Sequence, residues 1–212
     1  MAHLILSRLA AATLALPLLT TSVAAQPVPP SEATQEALRA IQARGDPAHG
    51  PFMVLDKVAA RVWVFDGQAR SLDSSPVLLG AAEGDDSVPG IGTRPMNAIR
   101  PHERTTPAGR FRVEPGRNHQ GEDIFWVDYD AAVSMHRLRP IHPPAERRPE
   151  RMASATPTDN RISYGCINVP PTFYNEVVRP LFSNGRGWIY VLPETRPVQS
   201  LFETKATREG GF

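Results

Sequence analysis

The chain's one cysteine lies in Ser163-Tyr164-Gly165-Cys166-Ile167-Asn168. Sulfur at such a position can act as a nucleophile. A thiolate attacks a carbonyl carbon to form a thioester, and near neutral pH it needs a base or a positive charge beside it. Ser163 and Gly165 are small, so a substrate can come close. Two histidines upstream are candidate bases. His136 ends the strand-like run Ala131-Ala132-Val133-Ser134-Met135, 30 residues before the cysteine, and His142 lies in Ile141-His142-Pro143-Pro144, 24 before it. Either must reach the thiol by tertiary folding. Backbone amides of Tyr164, Gly165 and Cys166 can face a developing oxyanion, and Asn168 can brace the loop.

The N-terminus gives the cysteine its setting. Residues 1–25 combine a short cationic start at Arg8, an apolar stretch from Leu9 to Leu19 and small residues Val23-Ala24-Ala25. That pattern predicts an export signal cleaved after Ala25, too short to span a bilayer. An exported chain meets an oxidising compartment, where stable domains use cysteines in pairs. A lone cysteine there is either inert and buried or a reagent.

Composition narrows the choices. Lys and Arg total 23 against 22 Asp and Glu, and no basic run tracks a nucleic-acid backbone. His102, His119, His136 and His142 lack the spacing of a zinc site, so neither metal nor cofactor is expected. Glu122, Asp123, Asp128 and Asp130 read as solvated edge or turn residues. The 22 prolines imply many turns and few long helices.

The elements that must position these residues are mostly strands. Pro-rich residues 26–30 lead to a helix capped by Ser31, with Ala33, Ala37, Leu38 and Ile41 on one face and Gly45-Asp46-Pro47 at its end. Strands are expected from Phe52 to Phe65 (Val58–Phe65 above all), at Val77–Ala82, Arg110–Glu114, Ile124–Asp128 and Ala131–His136, and closing at Gly187–Leu192. A second helix opens at Pro170-Pro171, with Phe173, Tyr174, Val177, Val178 and Leu181 as its apolar face. Two long loops, 84–104 and 139–160, remain, and long loops are more often functional than ornamental.

Three stretches together resemble the L,D-transpeptidase (YkuD-like) catalytic domain. Ser163-Tyr164-Gly165-Cys166-Ile167-Asn168 is similar to its Ser/Thr-His-Gly-Cys signature, Ser134-Met135-His136 to the strand delivering its histidine, and Thr105-Thr106-Pro107-Ala108-Gly109-Arg110-Phe111 to its upstream turn. The resemblance covers about residues 52–193, leaving 26–51 as linker and short helix and 194–212 as a polar tail. It implies a mainly β, sandwich-like fold with a few short helices. It also implies a periplasmic enzyme that attacks peptidoglycan tetrapeptide stems and passes the acyl group to an amine of a second stem or a wall-attached protein. No nucleic acid is involved, and no stable membrane insertion follows signal cleavage. The catalytic set carried over is Cys166, His136, Gly165, Tyr164 and Ser163, with the Arg137 carbonyl orienting the imidazole. Arg161, Asn168 and Arg137 are expected at the substrate, and Arg94, Arg104 and Arg110 are further candidates for its carboxylates. Two departures stand out: Tyr164 replaces a histidine, and an Arg- and Pro-rich insertion, 138–160, suggests a mobile lid. The alternatives are a carboxypeptidase- or endopeptidase-type hydrolase on the same fold and a non-catalytic wall-binding protein.

Overall fold

Strand β1 (Phe52–Asp56) buries all five of its residues, because both faces of its sheet are covered. Side chains alternate along a strand. Met53 and Leu55 therefore join one apolar cluster, and Phe52 and Val54 join a second on the opposite face. The computed structural model describes residues 28–45, 50–140 and 142–203. The expected export signal, Asp46-Pro47 and the last residues of the tail lie outside them.

β1 pairs antiparallel with β2 (Arg61–Phe65) and parallel with β11 (Trp188–Val191), in a sheet of order β3-β2-β1-β11-β5. Its outer strands are β3 (Ser71–Pro76) and β5 (Gly109–Arg112). The expected strand from Val58 is shorter, because residues 57–60 form the hairpin turn and Ala60 takes φ 46°. β3 carries polar residues on an exposed edge, so it leaves no apolar alternation in the sequence.

The expected strand Arg110–Glu114 is in fact two. β5 ends at Arg112 and β6 (Glu114–Arg117) begins two residues on, in the other sheet, with Val113 buried at the crossing. That second sheet has the order β10-β8-β7-β6, with β7 (Asp123–Asp128), β8 (Val133–Arg137) and β10 (Ile167–Val169). Ala132, at φ 55°, belongs to the turn before β8. β4 (Leu79–Gly80) and β9 (Arg161–Ser163) form a small parallel pair beside it.

The two large sheets face each other across the main core. Val62, Val64, Ile189 and Val191 of one pack with Phe125, Val127, Val133, Met135, Ile167 and Val169 of the other. The fold is thus mainly β and sandwich-like, as the sequence predicts. A helical run closes the end of this core: α3 (Pro171–Phe173), a π turn at Tyr174–Val178 and α4 (Arg179–Phe182), which follow the short α2 (Arg148–Ala153) in the chain. Pro180 accounts for the wide turn. It has no N–H for the usual bond four residues back, and its ring crowds that carbonyl.

Helix α1 (Glu32–Ala43) covers the outer face of the first sheet through Ala37 and Ile41, with Trp63 and Tyr190 beneath it. Its cap is Ser31, whose Oγ accepts from the Thr34 amide at 3.1 Å and donates to Asp56 Oδ2 at 2.7 Å. Residues 194–203 share this docking. Val198 is buried against the same cluster, so the segment read as a polar tail begins as part of the fold.

Candidate functional site

The site is built on one face of β8 and β10. These strands run parallel with Asn168 beside His136 and Ile167 beside Met135. Side chains two apart share a face. Met135 and Ile167 therefore point into the core, while Ser134 and His136 stand on the other face next to Cys166 and Asn168. Ser134 Oγ lies 3.6 Å from Cys166 Sγ, and Asn168 Nδ2 lies 3.3 Å from His136 Nε2.

His136 is held by its other nitrogen. Nδ1 lies 2.8 Å from the carbonyl oxygen of Arg137. A carbonyl can only accept, so Nδ1 carries the proton and Nε2 is left as the basic nitrogen. Burial pushes the Cys166 thiol up. The hydrogen bond and charge of His136, with hydrogen bonds from Ser134, outweigh that effect and bring the thiol below its ordinary value. Cys166 itself is only half-buried.

The turn before the cysteine is fixed from several sides. The Gly165 amide donates to Ser163 Oγ at 3.1 Å, and Ser163 Oγ donates to the Cys166 carbonyl at 2.6 Å. Ser163 therefore shapes the loop, and the Gly165 amide is not an oxyanion donor as expected. Gly165 takes φ 127°, and a Cβ there would lie 2.9 Å from the Thr105 carbonyl oxygen, so the position needs glycine. Thr106, fully buried, accepts from the Gly80 amide at 2.9 Å and donates to the Gly165 carbonyl at 2.8 Å. In the sequence Thr106 stands within the Thr105–Phe111 motif with nothing to mark its task. Only the fold brings it to the cysteine turn.

A cavity of about 440 Å³ opens over Cys166, His136, Ser134, Ser163, Tyr164 and Asn168. One wall comes from the insertion: Arg139, His142, Pro143, Glu146 and Arg148. Between 142 and 160 that segment is folded, with a 3-10 turn at Pro144–Glu146, α2, and a second turn at Pro157–Asn160. Buried Met152 anchors it, as do bonds from Arg151 Nη1 to the Asp159 carbonyl at 2.7 Å and from Asn160 Nδ2 to the Val77 carbonyl at 2.8 Å.

The expected arginines do not reach the cavity. Arg161 pairs with Glu194 and bonds the Lys57 and Ala82 carbonyls. Arg137 spends its guanidinium on Asp123 at 2.9 and 3.1 Å, on Asn175, and over the Tyr174 ring. Its carbonyl, not its side chain, serves the site. Asp123, read as a solvated edge, is thereby an ion-pair partner. Arg94 is paired with Glu103, and Arg110 lies over Trp188. Arg104 lies 3.8 Å above the Tyr164 ring, so the tyrosine that replaces histidine is held by a cation–π contact. The cavity's arginines are instead Arg139, paired with Glu122 at 3.3 Å, and Arg148, bonded to Glu146 at 2.5 Å and to Asn168 Oδ1 at 2.9 Å. Nothing in an Arg-rich stretch distinguishes Arg148 until the insertion is folded back over β10.

His142 lines the cavity with Nδ1 3.2 Å from the Pro143 carbonyl. Among the described residues, no group of three or more His, Cys, Asp or Glu side chains is placed to hold a metal ion. Nor, among them, is any helix long and apolar enough to cross a membrane.

No protein-family model matches the chain, and no curated protein matches it. Solved structures with a similar chain path include an L,D-transpeptidase from Mycobacterium smegmatis, at 17% identity and TM-score 0.37 over 68% of this chain and 58% of that one. The catalytic domain of an L,D-transpeptidase from E. faecium matches at 16% identity and TM-score 0.37, over 69% of this chain and 99% of that one. The helical cell shape determining protein Pgp2 from Campylobacter jejuni matches at 14% identity and TM-score 0.43, over 76% and 56%. The chain thus spans less than two thirds of the M. smegmatis and C. jejuni chains.

Proposed function

We propose that this chain is an exported cysteine acyltransferase of the L,D-transpeptidase type, acting on peptidoglycan stem peptides. One observation carries the chemical half of this reading: Cys166 and His136 line one cavity, and His136, its Nδ1 fixed on the Arg137 carbonyl at 2.8 Å, helps bring the thiol below its ordinary value. Nucleophile, base and orienting group form the arrangement that acyl transfer requires. The substrate class rests on the sequence resemblance of the three motifs.

In this reading the S–H bond of Cys166 breaks and its proton passes to His136 Nε2. The thiolate attacks the carbonyl between meso-diaminopimelate and the terminal D-alanine. Amides of Tyr164 and Cys166 face the oxyanion, since the Gly165 amide is committed to Ser163. The C–N bond breaks, the imidazolium returns its proton to the departing D-alanine amine, and a thioester remains. An acceptor amine attacks the thioester carbonyl and loses a proton to His136; the C–S bond breaks, an amide forms, and the imidazolium returns that proton to the sulfur, restoring the thiol. The insertion wall limits water at the thioester, which favours transfer to an amine. Residues 1–25 direct the chain to the periplasm and are removed after Ala25, and no cofactor takes part.

The test is incubation of residues 26–212 with purified disaccharide tetrapeptide, read by mass spectrometry. Cross-linked dimer with loss of D-alanine is the expected product. Tripeptide alone identifies a hydrolase, and unchanged substrate overturns catalysis in favour of a wall-binding protein.

A further inference from the structure

We infer that Arg148 is a positioning residue that, through Asn168, keeps the resting site as neutral imidazole and thiol. Three contacts form a line: Arg148 Nη1 to Asn168 Oδ1 at 2.9 Å, Asn168 Nδ2 to His136 Nε2 at 3.3 Å, and His136 Nδ1 to the Arg137 carbonyl at 2.8 Å. Arginine has donors only, so it selects the oxygen of the Asn168 amide. The NH2 group must then face His136. Buried Asn168 has no freedom to present both groups to one neighbour.

An amide N–H pointing at Nε2 is satisfied only while Nε2 keeps its lone pair. Proton transfer from Cys166 places a hydrogen on Nε2, which then meets the hydrogens of the Asn168 amide. Arg148 thus opposes the thiolate–imidazolium pair. With Arg148 withdrawn, the amide can turn, present Oδ1 to Nε2–H and stabilise that pair. Arg148 sits on the insertion wall at the first residue of α2, held by Glu146 at 2.5 Å. A movement of that wall would release the catch. The consequence suits an unpaired thiol in an oxidising compartment, because a thiol oxidises far more slowly than a thiolate.

A direct field effect of Arg148 has the opposite sign, which makes the inference testable. A nearby cation favours the thiolate, so its plain removal should push the thiol up. The other titratable and charged groups around the pair remain in every variant: His142, Glu146 and Arg139 from the insertion, Glu122 beside Arg139, and Tyr164 with Arg104 over it. The experiment is the pH profile of Cys166 alkylation by iodoacetamide. In Arg148→Leu the inflection should fall by about one pH unit, roughly tenfold in rate on the acid side. Arg148→Lys, which keeps a donor and the charge, should stay near the wild type. In an Asn168→Ala background, Arg148→Leu should leave the inflection unmoved or raise it.

An Arg148→Leu inflection that stays or rises with Asn168 intact overturns the inference, as does an equal fall in Arg148→Lys. If Arg148→Leu fails to fold, 15N NMR of the intact wild type decides. An unprotonated His136 Nε2 at neutral pH supports the inference and a protonated one overturns it. The inference rests on the Cys166–His136 pairing of the proposed function but not on its substrate. Alkylation needs no wall peptide, so a failed stem-peptide assay and a failed relay are separate results.

Discussion

In the proposed acyl transfer Cys166 and His136 divide one task, and each has its own signature when lost. Cys166→Ala should abolish turnover of tetrapeptide with an unchanged urea midpoint, since the half-buried thiol contributes little packing. Residual cross-linking by the folded variant would falsify the nucleophile assignment. His136→Ala should cost on the order of 10² to 10⁴ in rate. It should also raise the alkylation inflection of Cys166, because it removes the larger of the effects that pull the thiol down and leaves only Ser134 against the burial that pushes it up. His142→Ala should retain most of the rate, because His142 lines the cavity from the insertion with its Nδ1 at the Pro143 carbonyl. Comparing the two histidine variants in one assay decides between the bases.

At the scale of elements, β8 and β10 set the site and the Thr105–Phe111 stretch supports it. Thr106→Val keeps the shape of the side chain but strands the Gly80 amide and the Gly165 carbonyl without their shared partner. Leaving such buried groups unsatisfied costs about 1–3 kcal/mol each. The variant should show a lower urea midpoint and a slower, pH-shifted alkylation of Cys166; an unchanged profile would show that the cysteine turn holds its shape without this brace. These elements also show where sequence reading succeeds. The runs at 52–65, 124–128 and 187–192 were legible because buried strands concentrate apolar and β-branched residues. Polar β3, the short β9 and β10, and the crossing at Val113 left no periodicity to read. The thiol, the imidazole and the Arg137 carbonyl were legible from motif and order. Arg148 and Thr106 were not, because their tasks exist only once residues distant in sequence are brought together.

Across the whole molecule, a buried charge network ties Lys57 to three distant segments. Lys57 Nζ bonds Asp85 Oδ1 at 2.9 Å, the Thr106 carbonyl at 3.1 Å, the Gly84 carbonyl, and Glu194 Oε1 at 3.2 Å. Burial alone would raise the Asp85 pKa. Hydrogen bonds from the Thr195 hydroxyl, the Glu194 amide, Lys57 and the Thr195 amide outweigh it and hold the carboxyl well below the usual range. A carboxyl depressed in the folded state contributes stability above its unfolded pKa, about 4, and that contribution fades as the pH falls below it. Asp85→Asn should therefore lower stability by roughly 3–5 kcal/mol near neutral pH, the usual cost of breaking a buried pair. The gap from the wild type should narrow between about pH 4 and about pH 2. Urea midpoints across that range check both claims, and a gap independent of pH would remove Asp85 from the account.

The strand order of the first sheet has a consequence for how such a chain is made. β11, near the C-terminal end, lies between β1 and β5, and Glu194 and Thr195 complete the ring around Lys57. The sheet therefore lacks an interior strand, and Lys57 its full set of partners, until synthesis has passed residue 195. A chain threaded N-terminus first through a secretion channel must stay unfolded during passage. Under the export proposed above, this topology delays closure of the sheet until residue 195 has emerged, so the order of the strands itself favours passage before folding.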